Sequence, residues 1–149
     1  MRSYIAVLIA FAFLSACQEE SKTSHVNAQV IFDSLDILME QQQLTWNNGD
    51  IDGFMGYYWK SDSLSFIGKS GITRGWQATL DNYKKSYDSR AKMGRLDFTN
   101  MDHQLIGHED VLINGKWELF RLTDTIGGYY TLHWKRKAGQ WLIVADHTS

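Results

Sequence analysis

From Arg95 to the end of the chain, apolar and polar residues alternate in four runs, "RLDFTNMDHQLIG", "VLINGKWELFRLT", "GYYTLHWKRK" and "WLIVADH", joined only by "HED", "DTIG" and "AG". Links this short join antiparallel neighbours, because a parallel crossover needs a dozen or more residues. A four-stranded meander is therefore expected. Its strands carry apolar residues at alternate positions, so one face has to be covered by something else in the chain.

The cover comes from the preceding residues, which read as helices. "NAQVIFDSLDILMEQQQLTWNNGD" predicts one long helix, with Ile31, Leu35, Leu38 and Trp46 on one face, Asn27 as cap and Asn48-Gly49 as stop. A short second helix, "IDGFMGYYW", follows Asp50 as its N-cap. "DSLSFIGKSG" reads as a strand ending in a glycine turn, and "ITRGWQATLDNYKKSYDSR" as a third helix with Trp76, Leu80, Tyr83 and Tyr87 in one stripe. Helices first and a meander afterwards indicate α+β, with the helices packed on one face of the sheet. Gly115, inside the second run, is expected to mark a bulge or bend.

Turn chemistry sets an expected register. With Ala138-Gly139 as a two-residue hairpin loop, Trp134 pairs with Ile143, Leu132 with Ala145 and Tyr130 with His147. If "DTIG" pairs Thr123 with Gly128, Trp117 lies opposite Trp134 and Arg121 opposite Tyr130. One face then carries Trp117, Leu119, Leu132, Trp134, Trp141, Ile143 and Ala145, with Arg121, Tyr130 and His147 at its polar end. The opposite face carries Glu118, Phe120, His133, Val144 and Asp146. A one-residue slip would exchange the faces.

The first residues have a different purpose. Arg2 is followed by the uncharged run "YIAVLIAFAFL", which is shorter than the roughly 20 residues needed to span a bilayer and suits a signal-peptide core. "LSAC" then resembles the bacterial lipoprotein signal, which implies cleavage before Cys17 and lipidation of that residue, the only cysteine in the chain. The expected division is a signal peptide over 1–16, a polar tether over 17–26 and one domain over 27–149. The expected location is the cell envelope, anchored in the membrane through Cys17, with Gln18 after it pointing to the outer membrane. One of the 15 basic residues lies in the leader, leaving 14 against 17 acidic ones and no basic block, so a nucleic-acid partner is not expected. With no second cysteine for a disulfide, the core alone must hold the domain.

The segments "WNNGDIDGFMGYY", "GITRGWQATL", "NGKWEL" and "GYYTLHWKRKAGQWLIVADHTS" together resemble the nuclear transport factor 2-like superfamily, in particular its SnoaL-like branch. That resemblance covers Gln29 to Ser149. It implies a cone-shaped α+β barrel, with three N-terminal helices packed on a strongly bent antiparallel sheet, enclosing an apolar cavity and commonly dimerising through the sheet. The ketosteroid isomerase form of the cone uses an Asp base near the first strand, and a Tyr with a protonated Asp at the oxyanion. The corresponding stretch "SLSFIGKSG" offers Phe66 and Ile67, and residues 27–48 contain no Tyr, so that chemistry is not expected.

The candidate ligand contacts are Arg121, Tyr130 and His147 at the rim, and Trp117, Trp134 and Tyr58 along the wall. An Arg fork with Tyr and His hydrogen bonds would hold an anionic or carbonyl group. Gln42 and Thr45 are further polar positions within reach. His147 is also the candidate base, with Tyr130 or Arg121 to stabilise charge, for a cofactor-independent lyase or isomerase. His103 and His108, five apart on a strand, point to opposite faces and do not predict a metal site. Three readings follow. The first is a non-catalytic envelope protein binding a small, largely apolar molecule, as a homodimer and without a cofactor. The others are the enzyme and a structural protein whose cavity is filled by its own side chains.

Overall fold

The computed structural model describes residues 28–149, so Cys17 and the proposed leader and tether lie outside the described residues. The chain divides after Ser34 into two compact units. Residues 28–34 of the first are helical, and the second, Leu35–Ser149, carries the sheet and the cavity.

The first helix, α1, covers 28–47. In the second unit it buries Leu35, Met39, Gln42 and Trp46, spaced four, three and four apart. Met39 takes the place expected for Leu38. Helix α2 (Ile51–Met55) is capped by the Asp50 carboxylate, which accepts from the Gly53 amide at 2.8 Å. Residues 72–74, expected as the start of a helix, instead belong to strand β2 (Gly71–Arg74), which pairs antiparallel with β1 (Ser65–Gly68). Helix α3 begins only at Trp76 and ends at Ser86. A fourth helix, α4 (Arg90–Met93), follows, with the Ser89 hydroxyl accepting from the Lys92 amide. Its Arg90 donates to the carbonyls of Trp46 and Asn47, where a cation meets the negative end of α1.

Strands β3 (Arg95–Gly107), β4 (Asp110–Phe120), β5 (Thr125–Lys137) and β6 (Gln140–Thr148) form the expected meander. The curved, unclosed sheet has the order β2-β1-β6-β5-β4-β3, antiparallel except where β1 lies parallel to β6. Edge strand β3 is covered by α1. Asn47 bonds the Leu96 amide and carbonyl, and the Gln43 side-chain oxygen accepts from the Phe98 amide. The core runs through Val111, Ile113, Leu119, Leu132, Trp134 and Ile143, all buried. Each large apolar side chain removed from water in this way contributes about 1.5–3 kcal/mol.

The β5–β6 hairpin closes as expected on Ala138 and Gly139, both at positive φ, and Trp134 pairs with Ile143. Beyond that pair the expectation fails. Val144 is an extra residue, so His133 faces Ala145, Leu132 faces Asp146 and Thr131 faces His147. The bulge falls where β6 changes neighbours on its other side. The segment Tyr57–Trp59 bonds Ile143 through both its amide and carbonyl, and β1 takes over from Ala145. One inserted residue reverses the alternation, turning Asp146 inward and leaving His147 exposed.

The β4–β5 register differs too. The turn is Arg121–Asp124, closed by the Arg121 amide on the Asp124 carbonyl and by a forked ion pair between their side chains. Phe120 therefore pairs with Thr125, and Trp117 lies opposite Gly128 rather than Trp134. The displacement along β5 (134 to 128) is an even number of residues, so Trp117 keeps its inward face. The expected Glu118–His133 juxtaposition does not form. Glu118 pairs with Lys116 at 2.9 Å, and His133 bonds Asp110 at 2.8 Å.

Candidate functional site

A cavity of about 870 Å³ opens between the inner sheet face, α1, the α2 region and α3. Much of its wall is aromatic. Trp46 from α1, Phe54 and Tyr58 from and just after α2, Phe66 from β1, and Tyr83 and Tyr87 at the end of α3 form a connected cluster, with ring centroids 4.8 to 6.0 Å apart. Most of these pairs meet edge to face, the arrangement that ring quadrupoles favour. The stripe Leu80, Tyr83 and Tyr87 thus serves packing and cavity wall together.

Asp146 is the most unusual group lining this space. It is 4% exposed, and its Oδ2 accepts a hydrogen bond from the Tyr58 hydroxyl at 2.7 Å, while Oδ1 has no partner. Burial pushes its carboxyl up to about 7, against which the Tyr58 hydrogen bond works downward. Burial also pushes the phenols of Tyr58, Tyr83 and Tyr130 above their ordinary value, and Asp146 adds to each shift by repelling the charged phenolate. The three tyrosines are therefore neutral hydrogen-bonding groups.

Two more lining residues keep a buried polar atom without a partner, Gln42 Oε1 and Trp117 Nε1. Gln42 Nε2 donates to the Phe54 carbonyl, which fixes the amide beside the aromatic cluster. Tyr130 belongs to a chain of hydrogen bonds leading away from the cavity. Its hydroxyl donates to Asn100 Oδ1, Asn100 Nδ2 donates to Asp36, and His103 Nε2 meets the same Asp36 oxygen at 2.8 Å. Gly115 makes this possible, since a Cβ there would lie 2.3 Å from the Tyr130 hydroxyl oxygen.

Of the six residues expected at the ligand, Tyr58, Trp117 and Tyr130 line the cavity. Trp134 faces inward but is fully buried in the core. Arg121 sits in the β4–β5 turn, held by Asp124, and His147 is on the outer surface of β6, so the Arg121–Tyr130–His147 cluster does not exist. His147 as the base of that cluster is withdrawn with it. The reasons are the four-residue turn in one case and the Val144 bulge in the other. Asp146 was missed because strict alternation put it outside. The signal available in the sequence was the run "WLIVADH", in which five apolar residues in succession leave no polar position to define an outer face.

No family model matches the chain, nor does any curated protein. Solved structures do match. An NTF-2-like protein of unknown function from Shewanella oneidensis MR-1 shares 34% identity over 79% of this chain and 98% of its own, with a TM-score of 0.76. An NTF2-like protein of unknown function from Pseudomonas putida KT2440 (16% identity, 78% and 84% coverage, TM-score 0.65) shares the fold. So does a nuclear transport factor 2 superfamily protein from Salmonella enterica (16%, 74% and 84%, 0.60). The helices over a bent sheet, the cavity they enclose and the 34% identity across nearly the whole Shewanella chain agree: this chain belongs to the nuclear transport factor 2-like family.

Proposed function

We propose that this protein is a binding domain of the cell envelope, anchored by a lipid on Cys17 and dimeric through its sheet, that holds a small, largely apolar molecule without transforming it. One observation carries the binding part. A cavity of about 870 Å³, within the usual ligand range of about 300–1,000 Å³, has an aromatic wall and three buried polar atoms awaiting partners. That volume counts against the reading in which the protein's own side chains fill the space. Native mass spectrometry of protein purified from its own host is expected to retain a small molecule. Ile126→Trp, which adds a ring to the wall, is expected to lower its occupancy while circular dichroism stays unchanged. Repeatedly empty spectra under gentle conditions would sink the binding reading.

A cofactor-independent lyase or isomerase is the second reading, and Asp146 is the residue that favours it. A carboxyl with a pKa of about 7 beside a tyrosine hydroxyl can accept or deliver a proton near neutral pH. Incubating the retained molecule with protein in deuterated water tests this, since proton transfer at carbon incorporates deuterium. An unlabelled, unchanged molecule after long incubation removes the enzyme.

A further inference from the structure

Asp146 can carry a charge that no cation among the described residues pairs with. An ionised carboxylate in apolar surroundings is costly unless paired. Its one hydrogen bond, from Tyr58, serves Oδ2 only. The groups packed around it are Tyr58 after α2, Tyr83 from α3 and Tyr130 from β5, all neutral, with Leu132 and Phe66 as its strand neighbours. Helix α1 contributes Gln42, Trp46 and no charged side chain to the cavity wall. Lys69 in the β1–β2 turn and Lys85 late in α3 also line the cavity, but both are exposed, and neither pairs with Asp146. Asp36, farther out, acts on Tyr130 and carries the same sign as Asp146.

The neighbouring surfaces suit a positive group. Ring faces attract cations, and the cluster of Trp46, Phe54, Tyr58, Phe66, Tyr83 and Tyr87 is continuous with the Asp146 site through Tyr58 and Tyr83. Gln42 Oε1, the second unpartnered oxygen, is an acceptor as well. An ammonium group offers three donors and no acceptor.

Resting on the binding reading above, we propose that the ligand is an organic amine, its ammonium group on Asp146 Oδ1 and its carbon body against the aromatic wall. Binding then selects the ionised carboxylate. An aliphatic amine keeps its proton up to a pH of about 10, so of the two partners in the proposed pair only Asp146 changes charge between pH 6 and 8. The ionised fraction rises about tenfold over that interval for a pKa of about 7, and the affinity for an amine rises with it before levelling off.

The test uses the full chain in detergent and three probes that share a 2-phenylethyl group: 2-phenylethylamine, 2-phenylethanol and 3-phenylpropionate, titrated by calorimetry at pH 6, 7 and 8. The amine is expected to bind at least tenfold more tightly than the alcohol at pH 8, and to tighten about tenfold from pH 6 to 8. In Asp146→Asn the preference and the pH dependence both disappear. The wild-type pH profile needs no variant, so the inference stays testable if Asp146→Asn misfolds. Equal or tighter binding of the alcohol or the acid at pH 8, or amine affinity that falls as pH rises, overturns the amine and leaves the cavity a binding site. No binding of any probe, together with empty native spectra, overturns both. A retained native molecule without a basic nitrogen overturns the amine alone.

Discussion

Asp146 lies between Leu132 and Phe66 in the sheet, with one oxygen bonded to Tyr58, and its carboxyl has risen from 3.8 to about 7 because burial opposes its charge. In the unfolded chain the same group titrates near its ordinary value, about 3.9. Between those values the folded protein holds a proton that the unfolded chain has released, so stability falls as pH rises through the window. The expected loss between pH 4 and 8 is on the order of 4 kcal/mol from this group alone. Asp146→Asn keeps an oxygen for the Tyr58 hydroxyl and cannot ionise. Urea unfolding should therefore find the variant more stable than the parent at pH 8, with the difference shrinking or reversing by pH 4. A variant-to-parent difference that stays constant with pH would show that the carboxyl is charged throughout.

At the scale of elements, two strand irregularities build the site. The Val144 bulge aims Asp146 inward, and a second shift at Met101 in β3, opposite Asn114 and Gly115, bends the sheet beside Tyr130. Gly115 was expected to mark a bulge; the extra residue belongs to its partner strand, and the glycine's own task is steric. An added methyl would meet the Tyr130 hydroxyl and, at 2.6 Å, the Thr99 carbonyl. Gly115→Ala should cost roughly 1–3 kcal/mol in denaturant unfolding. It should also displace Tyr130 and so break its bond to Asn100. The cost should shrink in a Tyr130→Ala background, and equal cost in both backgrounds would place the strain elsewhere.

For the whole molecule, the proposed ligand binding, lipid anchor and dimer can each be tested without the others. Cys17→Ser should abolish incorporation of labelled palmitate and move the protein out of the membrane fraction; label retained by the variant would refute a lipid on Cys17. The outer face of β5 presents Tyr129, which is 61% exposed. Sedimentation of the full chain in detergent should give a dimer, and Tyr129→Glu should shift it toward monomer, since a charge buried in such an interface is costly. A monomer at all concentrations would remove the dimer through the sheet.

Much of the fold was legible in the residues, because periodicity and turn chemistry act locally. The meander over "RLDFTNMDHQLIG" and its successors, the Asp50 cap, the Ala138-Gly139 turn and the Trp134–Ile143 pair all follow from neighbours within a few positions. What the tertiary structure decided was parity and reach. Whether Asp146 or His147 faces inward depends on Tyr57–Trp59 bonding to Ile143, between partners more than eighty residues apart. Arg121 is the local exception: its ion pair with Asp124, three residues on, holds it in a turn and away from the cavity. A pattern of period two carries no record of an inserted residue, so the side chain that reaches the cavity is set by long-range pairing and not by alternation.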